Sequence, residues 1–215
     1  MDNERLIQSM HEVGLIPVVK LEHVERDSLA LAKALIEGGI PAAEVTFRAA
    51  GAAQAIRLMH EAYPDMLVGA GTVLNVDQAR EAYEAGACFI VSPGTVEEVL
   101  DFCLEKDLLY LPGCATATEM IHAYNRGCKV LKFFPAEQAG GLPYMKAVAA
   151  AIADMKFVPT GGISPKNLET YIKASCIVAA GGSYMVKAEL IKEGRWAEIT
   201  AICKESRALI DQARA

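Results

Sequence analysis

Eight short apolar runs, each followed by a stretch of helical period, predict a (β/α)8 TIM barrel with a short N-terminal helix for this 215-residue chain. Two further observations favour a closed barrel over an open doubly wound sheet. The runs are apolar on both faces, as in a parallel sheet covered by helices. The turn after the first run, Lys20-Leu-Glu-His-Val, lacks the glycine-rich dinucleotide fingerprint that such open sheets carry there. No linker or low-complexity stretch interrupts the pattern, so residues 1–215 read as one barrel domain near the small end of the usual size.

The elements follow in order. A leading helix is expected at 3–13, and strands at 15–19, 42–46, 67–70, 88–91, 108–111, 130–133, 156–159 and 176–179. Helices are expected at 25–37, 51–62, 76–85, 95–106, 116–126, 142–153, 165–173 and 195–211, with a helical turn at 183–187. The helix at 25–37 illustrates the reasoning: Leu29, Ala32, Leu35 and Ile36 recur on one side, and Gly38-Gly39 closes it. Thr116 reads as a cap, and Ser164-Pro165 as a cap followed by a first-turn proline.

Composition narrows the function. The formal charge is -6 with both signs interspersed, which argues against a nucleic-acid surface. No apolar run is long enough to span a membrane, and Met-Asp-Asn-Glu-Arg at the start lacks the basic-then-apolar order of a secretory signal, so a cytoplasmic location is expected. Six widely spaced cysteines, with no Cys-x-x-Cys pair, read as buried thiols in a reducing compartment. Four histidines have no ligand spacing, and no Asp/His/Glu cluster suits a divalent metal, so no metal is expected.

The chemistry is sought at the C-terminal ends of the strands, where active sites of such barrels open. The run 130–133 holds a lysine in an apolar strand, which is expensive unless the group is paired or gives up its proton. A neutral amine can attack a ketone and form a Schiff base. Alternation puts Val130, Lys132 and Phe134 on one face and Lys129, Leu131 and Phe133 on the other. Lys132, nearer the C-terminal end, is the candidate nucleophile; the plainer reading keeps both lysine heads in water. Glu44, between Ala43 and Val45, is costly to bury unless paired or functional; beside an imine-forming lysine it is a natural proton carrier, and otherwise half of a structural ion pair. Arg48 shares its face with Glu44 and Thr46 if the strand stays regular, and its planar fork suits a substrate carboxylate. Thr72 offers a hydroxyl where glycines let backbone approach a ligand. Gly161-Gly162 and Gly181-Gly182-Ser183 close the last two strands, where barrels of this class often hold phosphate, with a helix start expected just beyond.

Taken together, Glu44-Val-Thr-Phe-Arg48, Gly69-Ala-Gly-Thr-Val73, Ser92-Pro-Gly94, Lys129-Val-Leu-Lys-Phe-Phe-Pro-Ala-Glu137, Pro159-Thr-Gly-Gly-Ile-Ser-Pro165 and Gly181-Gly-Ser183 resemble the 2-keto-3-deoxy-6-phosphogluconate / 4-hydroxy-2-oxoglutarate aldolase family, in order across nearly the whole chain. The resemblance implies a cofactor-free class I aldolase on a (β/α)8 barrel, usually a homotrimer, acting on a 2-oxo acid in carbohydrate metabolism. It implies Lys132 as Schiff-base lysine, Glu44 as acid/base, and Arg48 on the pyruvate carboxylate. Thr72, Thr160 and Pro93 fall on substrate contacts, and Gly161, Gly162 and Ser183 on the phosphate end. Many members carry arginine where this chain has Lys20, which keeps the charge for the distal substrate end but loses the bidentate fork. A phosphosugar isomerase or epimerase on the same barrel, and a non-catalytic metabolite-binding barrel, are the alternatives.

Overall fold

The computed structural model describes residues 2–152 and 154–215. Helix α1 (Asn3–Val13) comes first, its N-terminus capped by Asp2, whose carboxylate accepts the Arg5 N–H. Then β1 (Leu15–Val19), α2 (Val24–Glu37), β2 (Ala42–Thr46), α3 (Ala52–Ala62), β3 (Leu67–Gly71), α4 (Val76–Glu84) and β4 (Phe89–Val91) alternate. After α5 (Glu97–Glu105) the fifth barrel strand runs in two pieces, β5 (Leu109–Leu111) and β6 (Gly113–Cys114), interrupted at Pro112. The second half continues through α6 (Ala117–Asn125), β7 (Val130–Phe133), α7 (Gly141–Ala151), β8 (Lys156–Pro159), α8 (Leu168–Ile172), β9 (Ala180–Gly182), α9 (Ala188–Lys192) and α10 (Trp196–Arg214).

All described strand pairs are parallel. One sheet runs β5-β4-β3-β2-β1-β9 and the other β6-β7-β8. The broken fifth strand joins them on one side; bridges Phe157 to Ile177 and Thr160 to Gly181 join them on the other. This is the (β/α)8 barrel with its leading helix, as predicted.

Strand alternation sorts the side chains. Ile16, Ala42, Leu67, Phe89, Val91, Leu109, Leu111, Val130 and Val158 pack together in the lumen with Leu6 and Met10 of α1, which therefore stoppers the N-terminal end. Val19, Ala43, Val45, Val68, Ala70, Ile90, Tyr110, Leu131, Phe133 and Phe157 face the other way, into the helix layer. Gly69 is required by this packing: a Cβ there would lie 2.3 Å from the Phe89 ring. All six cysteines are free thiols, five of them buried, as the sequence suggested.

Three expectations need correction. The last strand is not 176–179 but Ala180–Gly182, because its pairing puts Ala180, Gly181 and Gly182 beside Leu15, Ile16 and Pro17. The apolar residues before it are buried as expected, and Ile177 bridges Phe157, but continuous strand pairing begins only at Ala180. The helix expected at 165–173 begins only at Leu168: Ser164-Pro165 opens a turn in which the Asn167 side chain accepts the Ser164 N–H at 2.8 Å and donates to the Gly162 carbonyl at 3.0 Å. The helical turn expected at 183–187 is present as a single turn, closed by the Val186 N–H on the Ser183 carbonyl at 3.1 Å, and helix α9 starts after it at Ala188. Leu29, assigned to the buried side of α2, is 41% exposed; Leu31, Ala32, Ala34 and Leu35 are the buried set. Ala153, the last residue of the helix expected at 142–153, lies outside the described residues. Thr116 caps α6 in a full capping box with Glu119.

Candidate active site

Lumen packing stops below the C-terminal ends of the strands and leaves a cavity of about 300 Å³. Nine of the ten predicted site residues line it: Glu44, Arg48, Thr72, Pro93, Lys132, Thr160, Gly161, Gly162 and Ser183.

Lys132 is set by its strand. Its N–H donates to the Pro112 carbonyl at 3.0 Å, and it stands in register with Gly113 on one side and Val158 on the other. The parity that sends Leu131 and Phe133 outward sends Lys132 inward. Only 5% of it is exposed, and its Nζ donates to Glu44 Oε1 at 3.4 Å. Lys129 goes to the outer side, with its ammonium 3.6 Å from the centre of the Tyr124 ring. Glu44, 2% exposed, sits in register with Val18 and Gly69. Its carboxylate fits because residue 71 is glycine: a Cβ there would stand 2.2 Å from Glu44 Oε1.

Arg48 lies beyond the end of β2, in a turn rather than on a continued strand. Its Nε donates to Thr46 Oγ1 at 3.2 Å, and Thr46 donates to the Val19 carbonyl at 2.8 Å. Among the described residues no carboxylate lies within ion-pair distance of Arg48, so a cation faces the cavity uncompensated. Thr72 has φ 55°, a left-handed conformation that costs a non-glycine residue roughly 1–3 kcal/mol. Thr160 is buried and its hydroxyl has no hydrogen-bond partner. A Cβ on Gly181 would come within 2.2 Å of that hydroxyl, so this glycine also makes room for a polar group.

The loop carrying Gly161 and Gly162, both at positive φ, is braced from below. Ala136 and Glu137 donate backbone N–H groups to the carbonyls of Thr160 and Gly161 at 2.8 and 3.1 Å. Gly162 lies against the Glu137 side chain, where a Cβ would be 2.4 Å from Cγ. The Glu137 carboxylate accepts the Tyr171 hydroxyl; burial first, and that carboxylate second, hold this phenol well above the ordinary range. The final residue of the Lys-Phe-Phe-Pro-Ala-Glu motif is therefore a brace. Neither loop runs straight into a helix, since α8 and α9 start at Leu168 and Ala188.

Lys20 stands outside the cavity. It pairs with Glu22 at 2.8 Å and borders a separate pocket of about 130 Å³ with His23, Arg26 and Lys192. Val18, Phe134 and Ile163 line the main cavity without having been singled out as site residues; Gly181 and Gly182, read from the sequence as part of a phosphate loop, line it too. The signal for Phe134 was its shared parity with Lys132; its ring centre is 5.2 Å from Nζ. Among the described residues no group of three or more His, Cys, Asp or Glu could hold a metal ion, and no helix is long and apolar enough to cross a membrane.

The family model described as KDPG and KHG aldolase matches residues 6–202. This chain belongs to that family. It is a class I aldolase, a carbon–carbon lyase of the Schiff-base type. The aldolase is 44% identical over 205 residues to the 2-dehydro-3-deoxy-phosphogluconate aldolase of Treponema pallidum, covering 95% of this chain and 97% of the relative. It is 39% identical to the KHG/KDPG aldolase of Escherichia coli K12, over 94% of this chain and 93% of the other. Among solved structures it resembles the KDPG aldolase of Legionella pneumophila, captured with pyruvate as a covalent carbinolamine intermediate, at a TM-score of 0.87 and 38% identity over 92% of this chain and 96% of that one. The aldolase of Zymomonas mobilis ZM4 with 3-phosphoglycerate is equally similar, at a TM-score of 0.87 and 38% identity over 94% and 95% of the two chains.

Proposed function

We propose that this aldolase cleaves 2-dehydro-3-deoxy-6-phosphogluconate to pyruvate and glyceraldehyde 3-phosphate, or 4-hydroxy-2-oxoglutarate to pyruvate and glyoxylate, through an imine on Lys132. The observation that carries the reading is the buried Lys132–Glu44 pair, 3.4 Å apart in a cavity that also presents unpaired Arg48 and the partnerless Thr160 hydroxyl. A 2-oxo acid has complementary groups: a carboxylate for Arg48, Thr72 and Thr160, and a ketone carbon for the amine.

In the reaction, Arg48 holds the carboxylate, Lys132 gives a proton to its partner Glu44 and attacks C2 as the neutral amine, and Glu44 returns that proton to the carbinolamine hydroxyl. Loss of water leaves a protonated imine that can accept an electron pair. Glu44 takes the proton from the C4 hydroxyl, the C3–C4 bond breaks, and its electrons pass into the imine to form an enamine while C4 leaves as the aldehyde. Glu44 returns the proton to C3, and water then hydrolyses the imine to release pyruvate and regenerate Lys132. Pro93 walls the pyruvate half, and Gly161, Gly162 and Ser183 receive the distal group. Lys20 would reach the end of a long substrate only by releasing Glu22. An isomerase or epimerase would need two opposed acid/base groups; among the described cavity-lining residues Glu44 is the single carboxylate and there is no histidine. We extend the reading to residues 1–215 acting as one aldolase domain, to a cytoplasmic homotrimer, and to small-molecule substrates without nucleic-acid or membrane partners.

Incubation with pyruvate and borohydride, followed by peptide mapping, tests the centre of the proposal. A pyruvyl adduct on Lys132 is expected. An adduct on Lys20 or Lys129, or none in folded protein, would overturn it; light scattering on the eluted protein checks the trimer.

A further inference from the structure

Ser92 precedes Pro93 but does not line the cavity, and it is fully buried. Its hydroxyl donates to the Val73 carbonyl at 2.6 Å. Val73 is held a second time, by its own N–H donating to the Val91 carbonyl at 3.1 Å. On the other side of Thr72, the Gly71 carbonyl accepts the Phe47 N–H at 2.8 Å. Thr72 is thus clamped at both neighbours, and between the clamps it takes its positive φ; among the described non-glycine residues only Asp107 shares that feature. A β-branched residue is poorly suited to this conformation, so surrounding bonds must impose it. The loop behind is fixed as well, because the buried Tyr110 hydroxyl accepts the Val96 N–H at 3.1 Å next to Ser92.

We infer that Ser92 is a positioning residue for the 2-oxo acid site: through the Val73 carbonyl it keeps Thr72 in the left-handed conformation that presents its side chain to the cavity. This rests on the proposed reading of Thr72 as a substrate contact. Removing the Ser92 hydroxyl would leave the Val73 carbonyl without this donor and let the turn relax toward an ordinary backbone, withdrawing Thr72 without touching Lys132 or Glu44.

The test is a double-mutant cycle read as the pyruvate concentration that half-saturates borohydride trapping. Ser92→Ala should raise it about tenfold, with trapping at saturation unchanged. Thr72→Val should raise it by a similar factor, and the double variant should be no worse than Thr72→Val alone. Ser92→Cys, which keeps a weak donor on a slightly larger side chain, should recover part of the loss. If Thr72→Val binds pyruvate normally, the reading of Thr72 and this inference fall together. If Thr72→Val weakens binding but Ser92→Ala does not, or the two effects multiply, the inference alone is overturned. Should Ser92→Ala not fold, Ser92→Cys runs the same cycle with a rise of about threefold expected, and multiplicative or absent effects refute it equally.

Discussion

Replacing Gly71 by alanine would test how tightly the geometry around Glu44 is specified. Gly71 has an ordinary backbone conformation in β3, so alanine meets no φ penalty there. The added Cβ would instead stand 2.2 Å from Glu44 Oε1, 2.5 Å from its Cγ and 2.7 Å from its Cδ. Ordinary contacts begin near 3.4 Å, so the carboxylate must retreat by about 1 Å. A displacement of that size at a reacting group can lower turnover about a hundredfold, or about 2.7 kcal/mol of barrier. Two assays separate the effects: turnover in a pyruvate-coupled NADH assay, and exchange of the pyruvate methyl protons followed by NMR. Both should fall about a hundredfold in protein whose circular dichroism is unchanged. The same substitution made on top of Glu44→Gln should add little, because both act on one carboxylate. Turnover within twofold of the parent would refute the reasoning.

Three other outcomes follow from the packing and the pairing of buried groups. Lys132→Met should abolish trapping and destabilise the fold by about 3–5 kcal/mol, because Glu44 is left buried and unpaired; Lys132→Met with Glu44→Leu should regain most of it. Urea unfolding that finds the single variant as stable as the parent would contradict this. Burial pushes Cys103 and Cys203 up to about 12 and Cys114 and Cys128 up to about 11, and it raises Cys176 as well. Iodoacetamide at pH 8 should therefore leave these five thiols unmodified in the native protein and alkylate all six in urea, and rapid native labelling of any of the five would count against the packing. Backbone N–H groups of Ala115 and Thr116 hold the Glu119 carboxyl below its usual value near 4.5. A depressed folded-state value means stability present above the unfolded value and lost as pH falls through the folded one. Glu119→Gln should flatten the acid side of the stability curve over that window, and an unchanged curve would remove the capping contribution.

Much of this enzyme was legible because the relevant signals are local. Short apolar runs gave β1, β2, β7 and β8 to the residue; parity put Lys132 and Lys129 on opposite faces, and position near the C-terminal end of the strand singled out Lys132 as the one facing the site. Glu44 stood out because a carboxylate in an apolar strand calls for a partner, and Lys132 is that partner. The last quarter was read less well. Glycines at 181 and 182 look like a loop, yet they pair with β1, and at 181 a Cβ would stand 2.2 Å from Thr160 Oγ1. Ser164-Pro165 carries a helix-start signal that Asn167 diverts into a turn.

The sequence by itself determined the alternation of strand and helix, which residues within a strand share a face, and the polar groups at the strand ends, since each follows from spacing along the chain. Only the tertiary structure decided distances between strands far apart in sequence. Lys132 and Glu44 are 88 positions apart, and their 3.4 Å approach depends on barrel closure. The room that Gly71 gives Glu44, the partnerless Thr160 hydroxyl and the exclusion of Lys20 from the cavity are likewise properties of packed volume. Periodicity reports which way a side chain points; what it meets there depends on the closed barrel.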